Sequence, residues 1–212
     1  MTAMEAEEQS PVLLETERLV LCLLPPSAAK RVLGYHAENR SHLAPWSPPN
    51  PPGYYSEEYW RWRLEENRTE YLEDRSCRLQ LLLSGEREGA VVGQISLTQY
   101  CRGPHQSCTL GYNMDHRYQG RGLMKEGLRA AIELAFGRLG FHRLSANYMP
   151  VNERSGRVLR SLGFVVEGYA RDYLYIAGAW RDHVLTALYS PDPSPPGVRA
   201  FALPSSGSTP TE

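Results

Sequence analysis

Apolar positions along the chain follow two periods. Alternating or continuous apolar runs, closed by Pro, Gly and polar turns, predict strands over Thr16–Leu24, Cys77–Leu83, Ala90–Tyr100, Cys108–Met114, Arg143–Met149, Val165–Ile176 and Trp180–Tyr189. The 3.6-residue period predicts helices over Ser27–Leu43, from a Ser56 cap to about Arg75, from Gly122 to Leu139, and from Asn152 to Gly163. In the third of these, Met124, Leu128, Ala131, Leu134 and Ala135 share one face. Gly163 suits a left-handed helix end, with Phe164 folding back on Leu159. Three strands in succession favour antiparallel pairing, and the later strand-helix-strand units favour parallel crossovers. The pattern predicts an α/β fold with one mixed, mostly antiparallel sheet and helices on both faces.

Between strand and third helix, Asp115–Gly122 is a polar turn holding Gly120 and Gly122. A strand, a glycine turn and a helix start make an anion site, because the first helical N–H groups lack internal partners and lie at the positive end of the dipole. No Gly-Lys-Ser/Thr follows, which excludes the phosphate loop of nucleotide hydrolases, and the third glycine of the dinucleotide fingerprint is missing. An ordinary turn before a glycine-started helix is the competing reading.

Length and charge narrow the picture. The 212 residues fit one domain over 13–190, with a loose acidic tail at 1–12 and a Pro/Ser-rich disordered tail at 191–212. A net charge of −1 gives no field favouring nucleic acid or an anionic membrane, and no apolar run reaches the length of a membrane span. Cys22, Cys77, Cys101 and Cys108 show no paired spacing and sit in apolar strands, so they read as reduced core thiols. The acidic start lacks a secretory signal, and a cytoplasmic location follows as the expectation. The six histidines lack ligand spacing, and no metal is assigned.

Two blocks carry a family resemblance. Gln119-Gly-Arg-Gly122-Leu-Met124 resembles the pyrophosphate loop of the GCN5-related N-acetyltransferase superfamily in its place between strand and helix but ends in Met where the pattern has Gly or Ala, and Arg117–Gly122 satisfies the pattern as a string in a second register. Asn152-Glu-Arg-Ser155-Gly-Arg-Val-Leu159-Arg-Ser-Leu162-Gly163-Phe164 is similar to the helix after the fifth strand in the branch that acetylates ribosomal-protein N-termini, the RimJ/RimL type. Thr16–Leu21, Ala37–Arg40 with Pro45-Trp46, Ala146–Pro150, Glu167–Ala170 and Trp180–Val184 extend the likeness over roughly Leu14–Tyr189.

The resemblance implies acetyl-CoA as cosubstrate, lying between the strand that ends near Met114 and the strand that starts near Arg143. Met114 would meet the pantetheine arm; Gln119, Gly120, Arg121, Gly122, Leu123 and Met124 would hold the pyrophosphate. Asn152 would bond the pantetheine amide, and with Ser155, the implied proton donor to the CoA sulfur, it forms the catalytic pair. The implied reaction is direct attack of a protein N-terminal amine, in a ribosomal protein, on the thioester. Partners expected are that protein, without direct nucleic acid or membrane, in a monomer or weak dimer.

Asn147 and Leu174 stand where relatives carry glutamate, so the base is missing. An α-amine with pKa of about 7.7–8.0 needs less help than a lysine at about 10.4, so a water relay through Asp172 or Tyr173 is the expectation. Trp46 and Tyr173 are the acceptor-binding candidates, with Tyr54, Tyr55, Trp60 and Trp62 beside a proline-rich loop; packing competes with that reading. Glu57, Glu58, Glu65, Glu66, Glu70 and Glu73 are either a guide for a basic N-terminus or a solvated helix face. Acetylation of a polyamine or aminoglycoside, and a CoA-binding ribosome-associated protein without turnover, are the alternatives.

Overall fold

The computed structural model describes residue 10 and residues 13–192; apart from residues 10, 191 and 192, the two expected tails lie outside the described residues. In chain order the elements are β1 (Leu13–Glu15), β2 (Leu19–Cys22), α1 (Ala29–Glu38), α2 (Arg40–Leu43), α3 (Glu57–Leu72), β3 (Cys77–Leu83), β4 (Gly93–Cys101), β5 (Ser107–Met114), α4 (Leu123–Glu133), β6 (Arg143–Tyr148), α5 (Glu153–Ser161), β7 (Val165–Ile176) and β8 (Ala179–Tyr189). They form one eight-stranded sheet in the order β1-β2-β3-β4-β5-β6-β8-β7. Only β5 and β6 pair in parallel.

Strand alternation sorts the core into two layers. Leu19, Leu21, Leu79, Leu81, Ile95, Leu97 and Leu110 point to the face covered by α4 and α5. Val20, Cys22 and Leu82 point to the face covered by α1 and α3. Each such leucine, fully buried, contributes roughly 1.5–3 kcal/mol.

Several details differ from the sequence expectation, among them β4 beginning at Gly93 rather than Ala90 and the regular part of α4 ending at Glu133 rather than Leu139. Thr16–Leu24 is not one strand but a hairpin: the Thr16 N–H donates to the Leu19 carbonyl at 2.9 Å, and the Leu19 N–H donates to the Thr16 hydroxyl at 3.0 Å. The helix expected over Ser27–Leu43 breaks at Asn39, whose amide is fully buried. On α4 the deepest first-turn residue is Leu123, Met124 being only partly buried, and Gly127 packs where a Cβ would meet Ile95 and Leu81 at 3.2 Å. The close of α5 is as expected: Gly163 has φ 91°, and the Phe164 N–H donates to the Leu159 carbonyl at 3.1 Å.

Candidate active site

The sheet has a gap in its middle. β5 and β6 pair only from Ser107–Thr109 to Arg143–Ser145. Beyond that point β5 continues beside β4 to the pair Gly93/Met114, and β6 continues beside β8 to Tyr148/Val184. Two strand edges therefore diverge, Leu110–Met114 on one side and Ala146–Tyr148 on the other. The Asp115 N–H donates to the Val92 carbonyl at 3.0 Å, and antiparallel alternation from that bond turns the main-chain groups of Met114 and Tyr112 away from β4, into the gap.

At the end of β5 the chain enters the glycine turn through Asp115, which is fully buried. Its carboxylate accepts from the Arg117 N–H at 2.8 Å, from the Arg117 guanidinium at 2.6 Å and from the Asn39 amide at 3.0 Å. Burial pushes its pKa up, but these bonds outweigh it and hold the carboxyl at about 2. Asn39 also accepts from the His116 N–H at 3.2 Å, so the break between α1 and α2 anchors the turn.

Gly120 and Gly122 both adopt left-handed backbone, φ 76° and 78°, and Gly122 caps α4. A Cβ on Gly120 would meet nothing within 4 Å, so the space in front of the turn is open. Gln119 lies within 2.7 Å of a His42 ring nitrogen and donates to the Met114 carbonyl at 3.4 Å. Arg121 is exposed; its guanidinium lies 5.5 Å from the Tyr118 ring centroid and its carbonyl accepts from Arg18 at 3.0 Å. A recess of about 400 Å³, lined by Glu17, Arg18, Gly122, Lys125, Glu126 and Arg129, adjoins the helix start.

On the α5 side of the gap, Asn152 Oδ1 accepts from the Ser155 N–H at 3.2 Å, which is a helix cap. The Ser155 hydroxyl lies 2.8 Å from that of Tyr112, a residue that sequence reasoning passed over. Burial pushes the Tyr112 phenol up to about 12, against the pull of the Ser155 bond. The only signal for Tyr112 was its place between Leu110 and Met114 in the alternation of β5. Helix α5 sits close to β6: a Cβ on Gly156 would come within 2.8 Å of the Tyr148 ring.

On the opposite face, Asn147 donates to the Tyr173 hydroxyl at 3.2 Å, and the Tyr173 ring lies 5.5 Å from that of His183. Asp172 does not join them; it is exposed at a bulge with φ 47°, its N–H donating to Asp182 at 2.9 Å. Trp46 is 41% exposed, and the Ala177 N–H of the β7–β8 turn donates to the Ser47 carbonyl beside it at 3.1 Å.

Other acceptor-side candidates divide. Trp60 is core, stacked on His36 at 4.3 Å, and Tyr54 bonds the same histidine at 2.8 Å; burial pushes that imidazole down to about 3. Tyr55 and Trp62 are exposed. Three of the glutamates on or just after α3 face the chain's own arginines: Glu57 pairs with Arg61, Glu70 with Arg63 and Arg78, and Glu73 with Arg75. Cys22, Cys77 and Cys108 are buried, and burial pushes their thiols up to about 11, 12 and 12. Cys101, expected in the core, is exposed. Among the described residues no helix is long and apolar enough to cross a membrane.

Comparison with known proteins gives the family. A family model described as an acetyltransferase (GNAT) domain matches residues 18–165. The chain is 42% identical over 184 residues to the [Ribosomal protein uS5]-alanine N-acetyltransferase of Escherichia coli (strain K12), covering 87% of this chain and 94% of that protein. The crystal structure of ribosomal-protein-S5-alanine acetyltransferase from Vibrio fischeri superimposes with a TM-score of 0.82 at 35% identity, over 87% of this chain and 100% of that one. Mycobacterium smegmatis RimJ in complex with CoA-disulfide superimposes with a TM-score of 0.75 at 26% identity, over 81% and 82%.

Proposed function

This chain belongs to the acetyltransferase (GNAT) family, and from that we infer that it carries acetyl from acetyl-CoA to the N-terminal α-amine of a protein, the alanine of a small-subunit ribosomal protein. One observation carries this acceptor: a relative named for that activity aligns at 42% identity over 94% of its length. A structural relative holds a CoA-disulfide, which supports a CoA-based cosubstrate.

The gap suits such a molecule. The main-chain groups of Tyr112 and Met114 offer hydrogen bonds to the pantetheine amides, and the cap at Gly122, with open space before Gly120, offers helical N–H groups to the pyrophosphate. Gln119, Arg121, Leu123 and Met124 complete that turn, and Asn152 holds the start of α5 beside the arm. The thioester carbonyl polarises against N–H groups on the diverging strands.

The two faces of the gap divide the chemistry. The amine arrives from the side of Trp46 and Tyr173, its nitrogen bonds the carbonyl carbon, and the carbon–sulfur bond breaks. Ser155 donates its hydroxyl proton toward the departing sulfur. Raised thiol pKa values argue against Cys22, Cys77 or Cys108 as an acyl carrier, because a thiol that stays protonated is a poor nucleophile.

The test is mass spectrometry of a short peptide with N-terminal alanine, incubated with protein and acetyl-CoA, beside a peptide with a blocked N-terminus and a free lysine. One acetyl on the first peptide alone is expected. Acetylation of the lysine alone, or of neither, overturns the reading.

A further inference from the structure

We propose that His183 accepts the proton from the acceptor's ammonium group, supplying the base that Asn147 and Leu174 cannot; this rests on the acetyl-transfer reading above. The argument begins with the two faces of β6 and β8. Tyr148 and Val184 pair with each other and pack toward α5, on the side of Ser155. Asn147 and Leu185 pair next to them and so face the other way, and His183, two residues from Leu185, shares that face. Tyr173 reaches the same place, bonded to Asn147 and 5.5 Å from the His183 ring. The amine adds to one face of the planar thioester, and His183, on the sheet face opposite Ser155, stands on the same side as Tyr173 and Asn147, where the acceptor arrives.

The ring is prepared for the task. His183 is only 5% exposed, and its Nδ1 lies 2.9 Å from the Arg181 carbonyl, an acceptor that requires the proton on Nδ1. Nε2 then carries the basic lone pair. Nε2 makes no hydrogen bond to a described residue. Around it stand Tyr173 from β7 and uncharged Asn147 from β6; on its own strand are Arg181, whose guanidinium donates to the Ile176 carbonyl, and Asp182, which accepts from Tyr169 and the Asp172 N–H and feels the charges of Arg171 and of His183 itself.

The step balances within these groups. An ammonium N–H passes its proton to Nε2, leaving imidazolium and a neutral amine. The amine attacks the carbonyl carbon, and the C–S bond breaks with its electron pair on sulfur. Sulfur takes the Ser155 hydroxyl proton, and the new amide nitrogen gives up its second proton through water to restore the Ser155 hydroxyl. The imidazolium returns its proton to water. Histidine is the side chain whose charge changes in the range where an α-amine is still mostly protonated.

The experiment compares kcat/KM for the alanine peptide between wild type and His183→Gln from pH 6 to 9.5, with CoA affinity measured by calorimetry as the folding control. A loss of about 100-fold near pH 6.5 that shrinks toward pH 9.5, where the amine is already neutral, is expected. A deficit equal at every pH, or none, overturns the role of His183 alone; absence of wild-type turnover overturns the functional reading and this proposal with it. Should the variant not fold, the wild-type His183 imidazole followed by NMR must titrate where kcat/KM rises. A single protonation state from pH 6 to 9 overturns the proposal.

Discussion

Tyr112 and Ser155 bring their hydroxyl oxygens to 2.8 Å, tying the middle of β5 to the first turn of α5 across the place where β5 and β6 have parted. A phenol held at about 12 keeps its proton, so either hydroxyl can donate in this bond; when the Tyr112 hydroxyl turns to the Ser155 side, donating to its hydroxyl, the Ser155 proton is free to point into the gap. Ser155→Ala is expected to lower kcat about 100-fold. Tyr112→Phe is expected to lower it about tenfold with KM for acetyl-CoA unchanged, one hydrogen bond being worth about 1.4 kcal/mol at most in this setting. In the Ser155→Ala background the tyrosine change then adds nothing, a double-mutant cycle read by steady-state kinetics.

Gly120 holds φ at 76° with nothing near its missing side chain, so alanine there meets strain and no clash. A left-handed alanine costs about 1–2 kcal/mol. The Gly120→Ala protein should bind CoA roughly tenfold more weakly by calorimetry while its melting temperature changes little, since the turn relaxes where the ligand would bind.

Gly156→Ala drives a methyl to within 2.8 Å of the Tyr148 ring, a rigid neighbour with little room to move. Overpacking of this kind costs about 1–3 kcal/mol. Thermal denaturation should show a melting temperature lower by several degrees. Because α5 must move to make room, kcat should fall as well, through displacement of Ser155.

Asp115 has its carboxyl held at about 2, below the unfolded value of about 3.9, so it stabilises the fold above pH 4 and loses that contribution as pH falls from about 4 to 2. Urea midpoints of wild type should drop steeply through that window. Asp115→Asn should be less stable at pH 7 and fall less steeply between pH 4 and 2, the remaining slope coming from Glu167, Glu70 and Glu126, whose partners also hold their carboxyls low. An equally steep acid limb in the variant would assign the transition to other carboxylates.

Much of the fold could be read from the chain because its signals are local. The alternation in β3 and β4, the stripe on α4 and the Gly163-Phe164 ending of α5 each depend on neighbours within a few residues. The hairpin at Thr16–Leu19 was missed because its turn is made by a threonine hydroxyl, without the Gly or Pro that usually marks one. The gap was expected only through a resemblance, since where β5 leaves β6 is a matter of register between strands 36 residues apart, Ser107 and Arg143. Tyr112 and Asn39 were given no role for the same reason: each gains a partner from a distant segment, Ser155 and Asp115. The glutamates of α3 and its end could be read as a guide or as a solvated face; Glu57, Glu70 and Glu73 pair with the chain's own arginines, which only the fold reveals for the contact of Glu70 with Arg78.

An interrupted sheet also couples folding to metabolism. The edges of β5 and β6 that face one another find no strand between them, and a bound CoA thioester would add contacts that exist only in the folded protein. Folding and binding then share one equilibrium: ligand at a hundred times Kd adds about 2.7 kcal/mol to stability. Where proteases remove chains that open, the steady amount of this enzyme would rise and fall with the acetyl-CoA pool it draws on.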